Sequence, residues 1–120
     1  MTVERGWVDA RSNSLISITL ARVGAIDFVI DTGFDGELLL PLSLTESLQL
    51  RIMDEAELVL AGDVIAESFT SVVEINWMGS RRIAEVSLME GNDHLVGTAL
   101  LKGTRLRIDY IANNVEIEKP

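Results

Sequence analysis

Asp31-Thr32-Gly33 lies between the apolar run Phe28-Val29-Ile30 and the stretch Phe34-Asp35-Gly36-Glu37-Leu38-Leu39-Leu40-Pro41. One carboxylate is thereby set in a tight turn between two strand-like runs. At the end of a buried strand such a group is costly unless it is hydrogen-bonded or used. Threonine supplies a hydroxyl that can bond the turn's backbone, and glycine admits conformations closed to other residues. Two carboxylates held about a hydrogen bond apart cannot both ionise, so they share a proton and can act as acid and base on one water. The chain holds a single Asp-Thr-Gly. A second copy must come from another subunit, with two-fold symmetry setting Asp31 opposite its own mate.

Other chemistries find less in the residues. There is no cysteine, which removes disulfides, thiol nucleophiles and thiolate metal sites together. His94 is the one histidine and lies in the polar turn Gly91-Asn92-Asp93-His94, where it reads as a solvated turn residue. No nucleophile elbow accompanies it. Asp31, Asp35 and Gly36 match three positions of an EF-hand loop, but Gly33 and Leu42 stand where two essential oxygen donors belong. No glycine-rich phosphate loop is present, and neither metal nor cofactor is expected. The net charge of −9 and the lack of a basic block argue against nucleic-acid and anionic membrane partners. No apolar run approaches membrane-spanning length and the first residues lack the order of a secretion signal, so a cytoplasmic protein is expected.

The elements that must hold the turn are strands. Val, Ile and Leu carry most of the 48% apolar content and aromatics are scarce, which favours sheet in one domain spanning residues 1–120. Leu15–Leu20 alternates apolar and polar, Arg22–Ala25 with Gly24 reads as a hairpin turn, and Ile26–Ile30 as a buried strand. Glu37–Leu40 is another strand, ended by Pro41. Ser43-Leu44-Thr45-Glu46 has capping-box spacing and predicts a helix from Ser43 to about Leu50, with one irregular turn as the alternative. Glu57–Leu60, Val64–Trp77 (one strand or two), Arg82–Met89, Leu106–Tyr110 and Asn114–Glu118 complete the strand set. Leu95–Leu101 reads as a short apolar strand passing into one helical turn. Many short strands at near-regular spacing point to a small β-barrel or sandwich.

The order apolar-apolar-Asp-Thr-Gly-Phe-x-Gly, followed by an apolar run, resembles the active-site turn of retropepsin-like aspartic proteases, single-domain and homodimeric relatives of pepsin. Leu95-Val96-Gly97-Thr98-Ala99-Leu100-Leu101 is similar to the family's second mark, an apolar pair and glycine leading into a short helix. Leu60-Ala61-Gly62-Asp63-Val64 is similar to the flap tip of small bacterial members. The resemblance runs from about Leu15 to Asp109. It implies an all-β fold, a small closed or partly open acid-protease barrel with one short helix or helical turn and its active site at a homodimer axis. It further implies that Asp31 is catalytic and that Thr32 bonds across the axis. Gly33 would present its carbonyl to an extended peptide and Asp35 would bond the substrate backbone. Phe34, Gly62, Asp63 and Val96 join the implied substrate-binding set.

The chain departs from the family twice. Thr98 stands where retroviral members place the arginine that pairs with the carboxylate four residues past the catalytic aspartate, so Asp35 must be anchored differently. The flap has one glycine rather than several, which makes it stiffer. Plainer roles stay open: Asp31 as a turn residue, Asp35 as a solvated loop carboxylate, Gly62-Asp63 as an ordinary hairpin loop, Leu95–Leu101 as core, Trp7 and Trp77 as packing. The leading expectation is an aspartic endopeptidase acting on peptide or protein substrates. A catalytically silent dimerisation or peptide-binding domain is the alternative, and a sugar hydrolase using Asp31 with Asp35 is a weaker third. Val115-Glu116-Ile117-Glu118 could supply a strand to an intersubunit sheet.

Overall fold

β-branched and aliphatic residues at period two make sheet the dominant structure. The computed structural model describes residues 2–59 and 61–120. The first strands are Thr2–Val8 (β1), Ser14–Leu20 (β2), Gly24–Ile30 (β3), Leu38–Pro41 (β4) and Asp54–Val59 (β5). They are followed by Ile65–Trp77 (β6), Ser80–Met89 (β7), Leu95–Val96 (β8), Arg105–Asp109 (β9) and Asn114–Lys119 (β10). The one α-helical turn, Thr98–Leu101 (α1), directly follows β8. Along β2 the alternation is clean: Ile16, Ile18 and Leu20 are buried while Ser17 and Thr19 face out.

The strands order as β5-β6-β7-β4-β8-β3-β2-β1-β10-β9, and a further pairing of Leu20 with Ile75 joins β2 back to β6. That contact, reinforced by the Ala21 amide donating to the Glu74 carbonyl at 2.8 Å, closes a six-stranded ring from β6 through β7, β4, β8 and β3 to β2. The ring is filled by side chains such as Phe28, Ile18, Leu38, Leu40, Ile75, Leu88 and Val96. Within it β8 runs parallel to β3 and antiparallel to β4, which brings the residue after β3 alongside the start of α1. This is the all-β barrel with one helical turn that the sequence implied.

Two appendages leave the ring. The first half of β6 pairs with β5 as a hairpin whose tip is the 3₁₀ turn Ala61–Asp63. Exposed Val59, Val64 and Ile65 flank that tip, while Leu60, part of the expected flap motif, lies outside the described residues. On the other side β1, β10 and β9 extend the sheet from β2. β10 pairs with β1 over Thr2–Trp7 and with β9 over Arg105–Asp109. Both of its edges are therefore filled within one chain, and Val115–Glu118 is not free to enter an intersubunit sheet.

Two local outcomes differ from the sequence reading. β1 was not foreseen, because Glu4, Arg5 and Gly6 break any apolar alternation. A Cβ on Gly6 would lie 1.9 Å from the Leu15 carbonyl oxygen, so glycine is what lets β1 approach β2. The helix expected at Ser43–Leu50 is absent. A 3₁₀ turn at Leu42–Leu44 is followed by irregular turns whose amides reach carbonyls three, four and five residues back. The Thr45 and Ser47 hydroxyls bond the Leu42 and Leu44 carbonyls instead of capping, and Gln49 adopts φ +55°.

Candidate active site

Asp31 is the first residue beyond β3, and its amide donates to the Val96 carbonyl at 2.9 Å, which fixes its depth in the barrel. Its Oδ1 accepts the Gly33 amide at 2.8 Å, and the Phe34 amide donates to the Asp31 carbonyl at 3.1 Å. These are the local bonds that short polar side chains make in turns. Asp31 is half-buried, whereas Thr32, Gly33 and Asp35 are exposed.

The turn rests on the segment that opens α1. The Gly97 amide donates to the Glu37 carbonyl at 3.0 Å, Thr98 to Phe34 at 2.8 Å and Ala99 to Gly36 at 3.2 Å. The Thr98 hydroxyl adds a 3.3 Å bond to the same Phe34 carbonyl. Thr98, at the position where retroviral members place an arginine, thus secures the turn by bonding the Phe34 carbonyl with its amide and its hydroxyl. A Cβ on Gly97 would fall 2.2 Å from the Gly36 carbonyl oxygen and 2.6 Å from the Phe34 ring, so the two segments meet at a distance only glycine allows.

Phe34 and Val96, assigned to substrate contact from the sequence, both have buried side chains. The Phe34 ring, 7% exposed, wedges against Gly36 and Gly97, and Val96, fully buried, belongs to the core. Neither side chain lines an open surface; each serves the turn through packing and a backbone carbonyl. Gly62 and Asp63 lie at the β5–β6 hairpin tip with φ of +77° and +58°, both exposed. His94 is more engaged than a solvated turn residue. It is half-buried, with Nδ1 3.2 Å from the Asp27 carbonyl and its ring 6.2 Å from that of Phe28.

One partnership escaped the sequence. Glu37, at the exit of the turn, accepts a charge-assisted bond from Arg82 of β7 and, at 2.9 Å, the Glu85 amide. The two charges are 45 residues apart, and no local pattern marks Arg82 as the partner. The pair ties the chain leaving the Asp31 turn to the neighbouring strand pair.

No protein-family model matches the chain. Over 111 residues it is 31% identical to a protein of Archaeoglobus fulgidus described as uncharacterized, covering 88% of this chain and 87% of that one. Among solved structures it is similar to the EIAV protease complexed with the inhibitor HBY-793, at a TM-score of 0.65 and 16% identity, over 78% of this chain and 89% of the other. It is also similar to the retroviral protease-like domain of Ddi1 from Leishmania major, at a TM-score of 0.53 and 15% identity, over 87% and 90%. At such identities the likeness speaks to the shared architecture. The chain thus belongs to one family with the Archaeoglobus fulgidus protein, and its fold is retropepsin-like.

Proposed function

We propose that this protein is a homodimeric aspartic endopeptidase in which each subunit contributes Asp31 to one shared site. The observation that carries the reading is the braced Asp31 turn. Half-buried Asp31 directly follows a core strand, and its carboxylate takes its one hydrogen bond among the described residues from the Gly33 amide, while three backbone bonds from the Gly97–Ala99 segment hold the Phe34, Gly36 and Glu37 carbonyls of the same turn. A turn that served only as a turn would not need so firm a mount for a carboxylate left open at one side. The retropepsin-like fold supports the same reading.

In this mechanism the two Asp31 side chains share one proton. The ionised carboxylate takes a proton from a water as its oxygen attacks the scissile carbonyl carbon, and the protonated carboxyl donates to the carbonyl oxygen. The tetrahedral intermediate then collapses, the C–N bond breaks, and the nitrogen leaves with a proton from the pair. Thr32 bonds across the axis, while the Gly33 carbonyl and Asp35 hold the backbone of an extended peptide. The β5–β6 hairpin, with Gly62 and Asp63 at its tip, covers that peptide as an added strand. Exposed Val59, Val64 and Ile65 near the tip suit substrates with apolar residues about the cut. The enzyme acts as one domain, in the cytoplasm.

The test is hydrolysis of a mixed peptide library by purified protein and by Asp31→Asn. Wild-type cleavage that falls at least about 10²-fold in the variant supports the proposal. Undiminished cleavage by Asp31→Asn overturns it, and peptide binding without products marks a silent binding domain instead.

A further inference from the structure

We propose that the β9–β10 hairpin tip, carrying Tyr110 and Ile111, is the apolar arm of the subunit contact, and that its occupant is a second copy of this chain. The inference rests on the paired-aspartate reading, which leaves the site incomplete without that copy. It begins from strand register. Val29 pairs with Leu15, Trp7 with Leu15, Val8 with Ser14, and Trp7 with Asn114. The residues just past Ile30, before Ser14, after Val8 and before Asn114 therefore share one end of the sheet. The β9–β10 tip stands at the Asp31 end, and the Val8 amide ties it there through a 3.0 Å bond to the Asn113 carbonyl.

The tip is held out rather than left loose. The Asp109 carboxylate accepts the Ile111 and Ala112 amides at 2.8 and 3.0 Å, and Asn113 adopts φ +57°. On this fixed turn Ile111 is 96% exposed and Tyr110 61% exposed. Trp7, partly exposed, lies opposite Asn114 at the same end. Two neighbouring large apolar side chains displayed on a preorganised turn are a contact waiting for a partner, because little ordering cost remains to be met on binding.

Charge selects the partner. Two copies of a chain with net charge −9 repel across most of their surfaces. Residues 52–80, which include the β5–β6 hairpin, hold six acidic side chains and no lysine or arginine. By contrast β1, β9 and β10 hold four basic and four acidic side chains, several paired across strands as Arg5 with Glu116 and Arg105 with Glu118. The sheet extension bearing the tip is thus a neutral face on an acidic molecule, and it shares an end with Asp31. Two identical acidic subunits meet there in an isologous contact, each tip seated on the other subunit.

The experiment is sedimentation equilibrium with peptide hydrolysis on wild type, Ile111→Asp and Tyr110→Ser. The expected result is a dimer Kd raised roughly 30-fold or more in Ile111→Asp, the effect of removing a central interface anchor. Hydrolysis should fall with the dimer fraction and recover at higher protein concentration, and Tyr110→Ser should shift the Kd in the same direction. Thermal unfolding of the monomeric fraction should not change, since the Ile111 side chain makes little contact within the subunit. A dimer unaffected by Ile111→Asp, or a wild type that stays monomeric, overturns the arm. Dissociation by Ile111→Asp in a protein that cleaves nothing supports the arm and removes the peptidase reading, so the two can fail separately.

Discussion

Substitution of Gly97 by alanine should loosen the Asp31 turn at a single methyl group. Gly97 has φ −105° and ψ 179°, a conformation open to any residue, so no backbone strain enters. The whole effect is space. An ideal Cβ would lie 2.2 Å from the Gly36 oxygen, 2.6 Å from the Phe34 oxygen and 2.6 Å from the Phe34 ring. Two of the three obstacles are backbone, so a rotamer change cannot clear them, and the segments must separate. Separation strains the bonds from Gly97 to Glu37, from Thr98 to Phe34 and from Ala99 to Gly36. Overpacking of this kind, with weakened bonds worth about 1 kcal/mol each, sets the expected loss at about 3 kcal/mol. For a chain of this size that is roughly 10 °C in Tm. Gly103→Ala is the control: its φ of +82° disfavours alanine, but nothing lies within 4 Å of the new Cβ, so about 1 kcal/mol is expected. Differential scanning calorimetry of both variants, with hydrolysis measured well below each Tm, is the assay. A Gly97→Ala protein that melts with wild type, or no lower than Gly103→Ala, refutes the close-approach argument.

Two further outcomes follow from named contacts. Glu37→Gln should lower stability by about 0.5–1 kcal/mol, since the Arg82 partner is 39% exposed and solvent screens the pair; the difference from wild type should shrink near 1 M salt, and a salt-independent loss would point to packing instead. The Asp109 carboxyl, held below its ordinary value of 3.8 by the Ala112 and then the Ile111 amide, contributes stability that is present above that value and lost as pH falls through the lowered one. The amide NMR shifts of Ile111 and Ala112 should therefore titrate together with a midpoint under 3.8, as should those of Asn13 and Arg11 about Asp9, and a midpoint at or above it would contradict the bonding.

Much of the barrel was legible because its strands write their burial into period-two alternation, as Ile16, Ile18 and Leu20 do. The Asp31 turn was legible from its triplet and flanks, and the strand-to-helix passage at Leu95–Leu101 from its apolar run and glycine. What escaped was set by partners distant in sequence. β1 is a strand because β10 and β2 pair with it, not because Glu4-Arg5-Gly6 prefers extension. The Glu37–Arg82 pair depends on β4 and β7 lying side by side. At Ser43–Leu50 the capping-box spacing is present, but no side chain caps the turn; Thr45 and Ser47 turn their hydroxyls back onto carbonyls and the segment is irregular. The resemblance implied Phe34 for the substrate-binding set, whereas its side chain is buried. The missing side chains of Gly36 and Gly97 open the slot its ring fills.

The double pairing of β10 bears on how such an enzyme would be switched on. With β1 on one edge and β9 on the other, β10 of each subunit is fully paired before any partner arrives. Assembly of the proposed dimer would then not exchange β10; it would be reversible docking of folded bodies. In the dilute range the active fraction of such a dimer would rise in proportion to monomer concentration, so the rate would grow with its square. Newly made subunits would stay latent until they accumulate, and dilution alone would silence them without unfolding, proteolysis or an inhibitor.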